Sequence, residues 1–205
     1  MTKATKATKA TNATATADFQ ALMLTALQNR IDNAPNDNQR DNLATELKFF
    51  ADANGAIILN KISAHVDVAS LARKISICDK SHADFVAVYA LQKVRKMIYA
   101  LANGAKSFVD GYSNSIIFNM VQLQELTNKS ALVALSKAVE YTELDKVQAV
   151  KRQISVAVST ASTQASSTRQ MLRLLDVANV TKRKNGDEFT FNDTETARAV
   201  IAFYA

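Results

Sequence analysis

The chain reads as a mainly α protein, a helical bundle followed by a three-helix and β-hairpin module, and three observations predict it. Four Gly and one Pro in 205 residues leave few of the turn-formers that many-stranded sandwiches and barrels need. Apolar residues recur at 3.6-residue spacing along most of the chain after Asp18. Asn185-Gly186, flanked by Val180-Thr181 and by Phe189-Thr190-Phe191, is the clearest strand signal, the preferred two-residue turn of a tight hairpin. With 48% hydrophobic and 21% charged residues, the chain can fill one core or two small ones.

Residues 1–17 repeat Thr-Lys-Ala from Thr2 to Ala10, placing Lys3, Lys6 and Lys9 in a stretch without a carboxylate. Lacking large hydrophobes after Met1, this segment cannot offset its ordering entropy by burial and is expected to be a flexible basic tail. Such an arm tracks phosphates or an acidic surface, or serves only to solubilise. It has no apolar core of a secretory signal, and without Arg or a hydrophobic face it does not fit an organellar transit peptide.

Asp18 is a cap for a first helix carrying Phe19, Leu22, Met23, Ala26 and Leu27, broken at Asn33-Ala34-Pro35-Asn36. A second helix fits residues 38–53, with Leu43, Leu47 and Phe50 on one face and Asn54-Gly55 as a left-handed stop, so the two form an antiparallel pair. Residues 56–62 (AIILNKI) suit a strand or a buried helix, and their neighbours favour helix. A short helix follows at 67–77. Ser81-His82-Ala83-Asp84 then reads as the capping start of the longest helix, 81–101, with Val86, Ala90, Val94, Met97 and Leu101 as its stripe and Gln92, Lys93, Arg95 and Lys96 as its polar side. Asn103-Gly104 ends it, and 105–126 is helical with a break near Gly111 and with Ile116, Ile117, Met120, Val121 and Leu123 inward. Thr127-Asn128-Lys129-Ser130 marks a boundary, giving a tail 1–17, a helical domain 18–126 and a module 127–205.

The chemistry available is sparse: one Cys (Cys78), two His (His65 and His82) and no Trp. A lone cysteine excludes an intramolecular disulfide and a multi-thiolate metal site, and suits the cytoplasm or another reducing compartment. No apolar run approaches the roughly 20 residues of a membrane span. Neither GxxxxGK[ST] nor GxGxxG occurs, so a phosphate-cradling nucleotide loop is not expected. Cys78 and His82, four apart, can meet on one helical turn, but nothing supplies two more metal ligands or an orienting group for a nucleophile. His65 stands alone, and Glu140, Glu143 and Asp145 read as capping rather than as an acid–base pair. The expectation is a protein without catalytic, cofactor or metal site and without a small-molecule substrate.

After Ser130 the pattern gives helices at about 131–141, 143–158 and 162–177, then the hairpin, then a C-terminal segment 194–205 whose Phe203-Tyr204 docks on the core or on a neighbouring subunit. On the third helix, Ala165, Thr168, Met171, Leu172 and Leu175 project to one side. Ser162, Thr163, Ser166, Arg169, Gln170 and Arg173 fall on an opposite arc of roughly 120°. Between Lys146 and Lys184 the net charge is +7, against +6 for the whole chain. Arg pairs bidentately with guanine, Gln with adenine, and hydroxyls near a helix N-terminus suit phosphates.

Three helices leading into a basic hairpin resemble the winged helix-turn-helix family. The segment STASTQASSTRQMLRLLDVANVTKRKNGDEFTF follows its order of small-polar helix start, apolar helix end and wing. Asp176-Val177-Ala178-Asn179-Val180 departs from the glycine-containing turn usual before the first wing strand. The resemblance implies a cofactor-free nucleic-acid-binding module, for DNA in preference to RNA. Ser162, Thr163, Ser166, Arg169, Gln170 and Arg173 would lie in the groove, Lys182, Arg183 and Lys184 on the wing, and Lys3, Lys6 and Lys9 on phosphates. The alternative is a homo-oligomeric structural protein of a viral particle or another large symmetric complex, its arm ordered on a neighbour. A regulator that binds another protein would use the same helical surfaces.

Overall fold

Alanine is the best helix former, and neither Gly nor Pro interrupts the chain between Ala4 and Asp32. The backbone accordingly runs as one 29-residue helix, α1 (Ala4–Asp32). The computed structural model describes residues 4–137, 150–151, 154–183 and 186–205, with the backbone alone at 4–17, 182–183 and 186–187. The expected unstructured tail is thus corrected from Ala4 onward, and Asp18 lies inside a helix rather than at its cap. Once the packed half nucleates, propagation adds one hydrogen bond per residue.

Two compact units make up the chain, Met1–Val88 and Tyr89–Ala205. In the first, α1 buries Met23, Ala26 and Leu27 against α2 (Asp37–Ala51), α3 (Ala53–Ile62) and α4 (Val68–Ile75). Each of these three begins at a side-chain cap, Asn36, Asp52 and Asp67, whose carbonyl or carboxylate oxygen accepts from a first-turn amide. Asn54-Gly55 is not the stop expected of it, because Asp52 has already turned the chain and both residues lie in α3. A Cβ on Gly55 would lie 2.5 Å from the Phe49 carbonyl oxygen and 2.7 Å from Phe50 Cα, so this glycine permits α3 to start hard against α2.

The largest departure is at 76–87, read from sequence as the end of one helix and the capped start of another. These residues are turns and irregular chain, and α5 (Val88–Asn103) starts later. Asp79 accepts from the Ser81 amide and hydroxyl, both at 2.8 Å, closing a local turn. Arg30 of α1, 5% exposed, donates to the carbonyls of Ile75 (3.3 Å), Ile77 (2.8 Å) and Val86 (2.9 Å), and its guanidinium lies 4.9 Å from the Phe85 ring centre.

In the second unit, α5 ends at Gly104 with φ +65°, as its sequence predicts. After a 3₁₀ turn, Asp110 caps α6 (Gly111–Leu123), which ends on Gln124 in the left-handed region. That turn delivers β1 (Glu125–Thr127), and Thr127 then caps α7 (Asn128–Val133) by accepting from the Ser130 amide. The boundary expected at 126/127 therefore falls inside a continuous unit.

Residues 138–149 and 152–153, which together hold nine of the sixteen positions of the helix expected at 143–158, lie outside the described residues, and 150–151 and 154–157 are not helical. Val156 bonds instead to the chain just after α7: its amide donates to the Leu135 carbonyl (2.9 Å), and its carbonyl accepts from the Ser136 hydroxyl (2.6 Å). α8 (Val158–Leu174) follows, and Asp176, at φ 54°, makes the turn for which a glycine would be usual. Its carbonyl accepts from Asn192 Nδ2 (3.1 Å) and Thr194 Oγ1 (2.8 Å).

β2 (Ala178–Arg183) and β3 (Gly186–Phe191) form the expected hairpin, and β1 joins its other edge, giving an antiparallel sheet of order β1-β3-β2. Leu126, Phe189 and Val180 are cross-strand partners, and Leu126 and Phe189 are buried. Gly186 pairs with Arg183 and so belongs to β3 rather than to the turn. Finally α9 (Glu195–Tyr204), capped by Thr194, contacts α6 of its own unit and buries Tyr204. The molecule is mainly helical with a small antiparallel sheet, and no described helix is long and apolar enough to cross a membrane.

Candidate nucleic-acid interface

The two faces of α8 separate as the 3.6-residue period requires. Ala165, Thr168, Met171, Leu172 and, at the C-cap, Leu175 are all buried. Ser162 and Thr163 are exposed, while Ser166, Arg169, Gln170 and Arg173 are part-exposed, so the six side chains expected to share an outer face do share it. The buried side is wider than the periodicity indicated, because Ser167 and Leu174 are also covered. Ser166 and Arg173 fall at the middle of the open arc.

Arg169 sits at the edge of that arc and is engaged by the protein. Its Nη1 donates to Asn128 Oδ1 at 2.5 Å, and its guanidinium lies 5.1 Å from the centre of the Phe189 ring. One arginine thus ties α8 to the first residue of α7 and to β3, a charge-assisted hydrogen bond combined with a cation–π contact. Among the hydroxyls, Thr163 donates back to the Ser159 carbonyl (3.2 Å) and Ser167 to the Thr163 and Gln164 carbonyls (both 3.1 Å). These protons are committed to the helix, so Thr163 would reach a phosphate only after rotating about χ1.

Of the expected wing cations, Lys182 and Arg183 are described by their backbone in β2, paired with Asp187 and Gly186, and Lys184 lies outside the described residues. Lys146 and Arg152 lie outside as well, as do Glu140, Glu143, Asp145 and Lys3. Lys151 is exposed, its ammonium 5.8 Å from the Phe118 ring centre, and its backbone is clamped by Asn119, which donates to the Lys151 carbonyl (2.8 Å) and accepts from its amide (2.7 Å). Lys6 and Lys9 stand on the helical backbone of α1 in the first unit.

Beneath α8 lies a polar cluster that the sequence reading missed. Lys93 of α5 donates to Asp110 Oδ1 (2.7 Å) and Ser113 Oγ (3.0 Å), and Ser113 Oγ lies 3.0 Å from Thr168 Oγ1 on α8. Burial presses the Lys93 amine downward from its usual value, against the pull of Asp110. The Asp110 carboxyl is pushed upward by burial, but the Lys93 charge and hydrogen bonds from Lys93 and Ser113 hold it below the ordinary carboxylate range. A signal for Lys93 was present: it lies three residues after Ala90 and four before Met97, within the stripe that packs inward.

Cys78 is half-buried in the irregular chain after α4, where its sulfur accepts from Asn29 Nδ2 (3.5 Å), and His82 is exposed, so the helical turn that would join them does not exist. His65 is exposed. Among the described residues no group of His, Cys, Asp and Glu has the makings of a metal site. Comparison with protein-family models, with curated proteins and with solved structures finds no match.

Proposed function

We propose that the protein binds nucleic acid, duplex DNA in preference to RNA, through the outer face of α8, and that its second unit works as a winged helix-turn-helix module without chemistry of its own. The observation that carries this reading is the segregation of α8. Hydroxyl, amide and guanidinium side chains occupy one arc, and the opposite arc is core. The order α6, β1, α7, α8 and hairpin, with β1 added to the far edge of β3, supports it. Arg173 and Gln170 are the residues assigned to base edges, with Ser166 between them. Arg169 has a split role, holding α8 against Asn128 and Phe189 while its position at the arc's edge faces a phosphate. Ser162 and Thr163 near the helix start, and Lys182, Arg183 and Lys184 on the wing, are assigned to the backbone. Lys6 and Lys9, about 60° apart on a helix, and Lys3 would add phosphate contacts.

The test is equilibrium binding of the full chain to duplex DNA and to single-stranded RNA over a salt series. Steeply salt-dependent DNA binding, weakened roughly tenfold or more by joint Gln170→Ala and Arg173→Ala substitution, is the expected result. Removal of residues 1–17 is expected to flatten the salt slope. Absence of binding at low salt would overturn the reading.

A second reading, a structural protein of a viral particle or other large symmetric complex, draws on a different observation. An open groove between α1 and α4 is lined by Ala21, Leu22, Ala26, Ala69 and Ala72, and Leu22 is 45% exposed. The solution mass of the wild type and of Leu22→Glu decides it. A defined oligomer that dissociates on this substitution favours assembly, and a monomer in both removes it.

A further inference from the structure

We infer that Thr168 is a positioning residue for the outer face of α8, acting through a buried polar chain that starts on α5 and crosses α6; the inference rests on the nucleic-acid reading of that face. Ser113 and Thr168 are fully buried, and Lys93 is 6% exposed. An ammonium has only protons to offer, so Ser113 Oγ accepts from Lys93 at 3.0 Å, and the serine's own proton is available for Thr168 Oγ1, also at 3.0 Å. The Lys93 charge is balanced by Asp110, whose Oδ1 also accepts from the Ser113 amide at 3.0 Å, which fixes the serine backbone as well as its side chain.

The buried stripe that carries Ser113 on α6 is otherwise apolar at helical spacing, with Ile116, Ile117 and Met120, and so is that of Thr168 on α8, with Ala165, Met171 and Leu172; the buried Ser115 and Asn119 of α6 bond elsewhere, to the Ala134 and Lys151 carbonyls. Apolar burial is non-directional and tolerates small rotations of one helix on another, whereas a hydrogen bond has a preferred length and angle. The Ser113–Thr168 bond is therefore the feature of this seam that sets the rotation of α8 about its own axis. A rotation of ~20° would carry a side-chain tip on the outer face by about 2 Å, enough to misalign a bidentate contact of Arg173 with a base edge. Arg169, on Asn128 and Phe189, restrains the same helix from its edge.

The experiment compares Thr168→Val and Thr168→Ser in the full chain, each with and without Arg173→Ala. The first measurement is affinity for duplex DNA, and the second is the amide NMR signals of Ser166, Gln170 and Arg173 without DNA. Thr168→Val is expected to lose about tenfold in affinity and to shift those amides, Thr168→Ser to restore both, and Thr168→Val to cost nothing further once Arg173 is Ala. Equal losses in both Arg173 backgrounds, or wild-type binding by Thr168→Val, would overturn the positioning role. If the wild type binds no DNA, the nucleic-acid reading fails, and the positioning role is then judged on the amides alone. Displacement in Thr168→Val with restoration in Thr168→Ser supports it, and unmoved signals overturn it. Should Thr168→Val not fold, Ser113→Ala cuts the same bond from α6 and is scored in the same way.

Discussion

Arg30 in the first unit and Lys93 in the second are both buried cations, 5% and 6% exposed, yet their partners differ in kind. Arg30 is held by the carbonyls of Ile75, Ile77 and Val86, all in or beside chain that has no regular structure. Lys93 is held by a carboxylate and a hydroxyl on a neighbouring helix. The planar fork of a guanidinium can gather divergent carbonyls and so give an irregular segment one shape, while a compact ammonium suits a single point where helices meet. The first device organises a loop and the second joins helices, including the one assigned to nucleic acid. Disturbing them should therefore produce different losses.

The largest effect is expected from Lys93→Met, which leaves Asp110 buried without its counter-ion and should cost about 3–5 kcal/mol in denaturant unfolding. Adding Asp110→Asn should recover a large part of the loss. A cost below about 1 kcal/mol would mean that the pair behaves as a surface pair, and the contrast with Arg30 would lapse. Next comes Arg30→Met, which strips donors from three carbonyls and is expected to cost about 2–3 kcal/mol. Its amide exchange should quicken across 76–87 while α5 and α6 stay protected.

Acid sharpens the contrast, because only Lys93 is held by a carboxylate. The Asp110 carboxyl lies below its ordinary value in the folded chain, since the Lys93 charge and the hydrogen bonds outweigh the upward push of burial. Its contribution to stability is thus present above the unfolded value of ~3.9 and is lost as pH falls through the lower folded value. Denaturant titrations below about pH 4 should show this loss in the wild type and in Arg30→Met, and a shallower one in Asp110→Asn. The smallest effect is expected from Tyr204→Phe. The Tyr204 hydroxyl is buried without a hydrogen-bond partner among the described residues, and burial, with the Asp110 charge, holds it protonated. Its removal should be neutral or stabilise by up to about 1 kcal/mol. A loss of that size would point instead to a water bridging Tyr204 to Asp110 Oδ2, another buried oxygen without a hydrogen-bond partner among the described residues.

These same two cations mark where sequence reading succeeds and stops. Helices α2 and α4, the hairpin and both faces of α8 were legible because each follows from local period, cap or turn chemistry, whereas AIILNKI in α3 left strand and helix both open and only its neighbours favoured helix. The start of α5 was misread because Ser81-His82-Ala83-Asp84 satisfies a capping pattern, while the irregular chain there is held by Arg30, 45 to 56 residues away in sequence. β1 was invisible, since three residues cannot display alternation and the strand exists only through pairing with β3. Arg169 was read as a solvated recognition residue because its anchors, Asn128 and Phe189, come from outside its helix. The first half of α1 was misjudged for a converse reason: burial was taken as the sole source of order, whereas an uninterrupted Ala-rich run extends a helix already nucleated.

The most direct test of the central claim is an amide NMR titration of the full chain with duplex DNA at low salt. The account predicts perturbations on the outer face of α8, at Ser166, Gln170 and Arg173, and along the β2–β3 hairpin, with the Arg173→Ala protein losing them at the same DNA concentrations. Unmoved α8 signals at saturating DNA, or perturbations confined to α1 through α4, would contradict it.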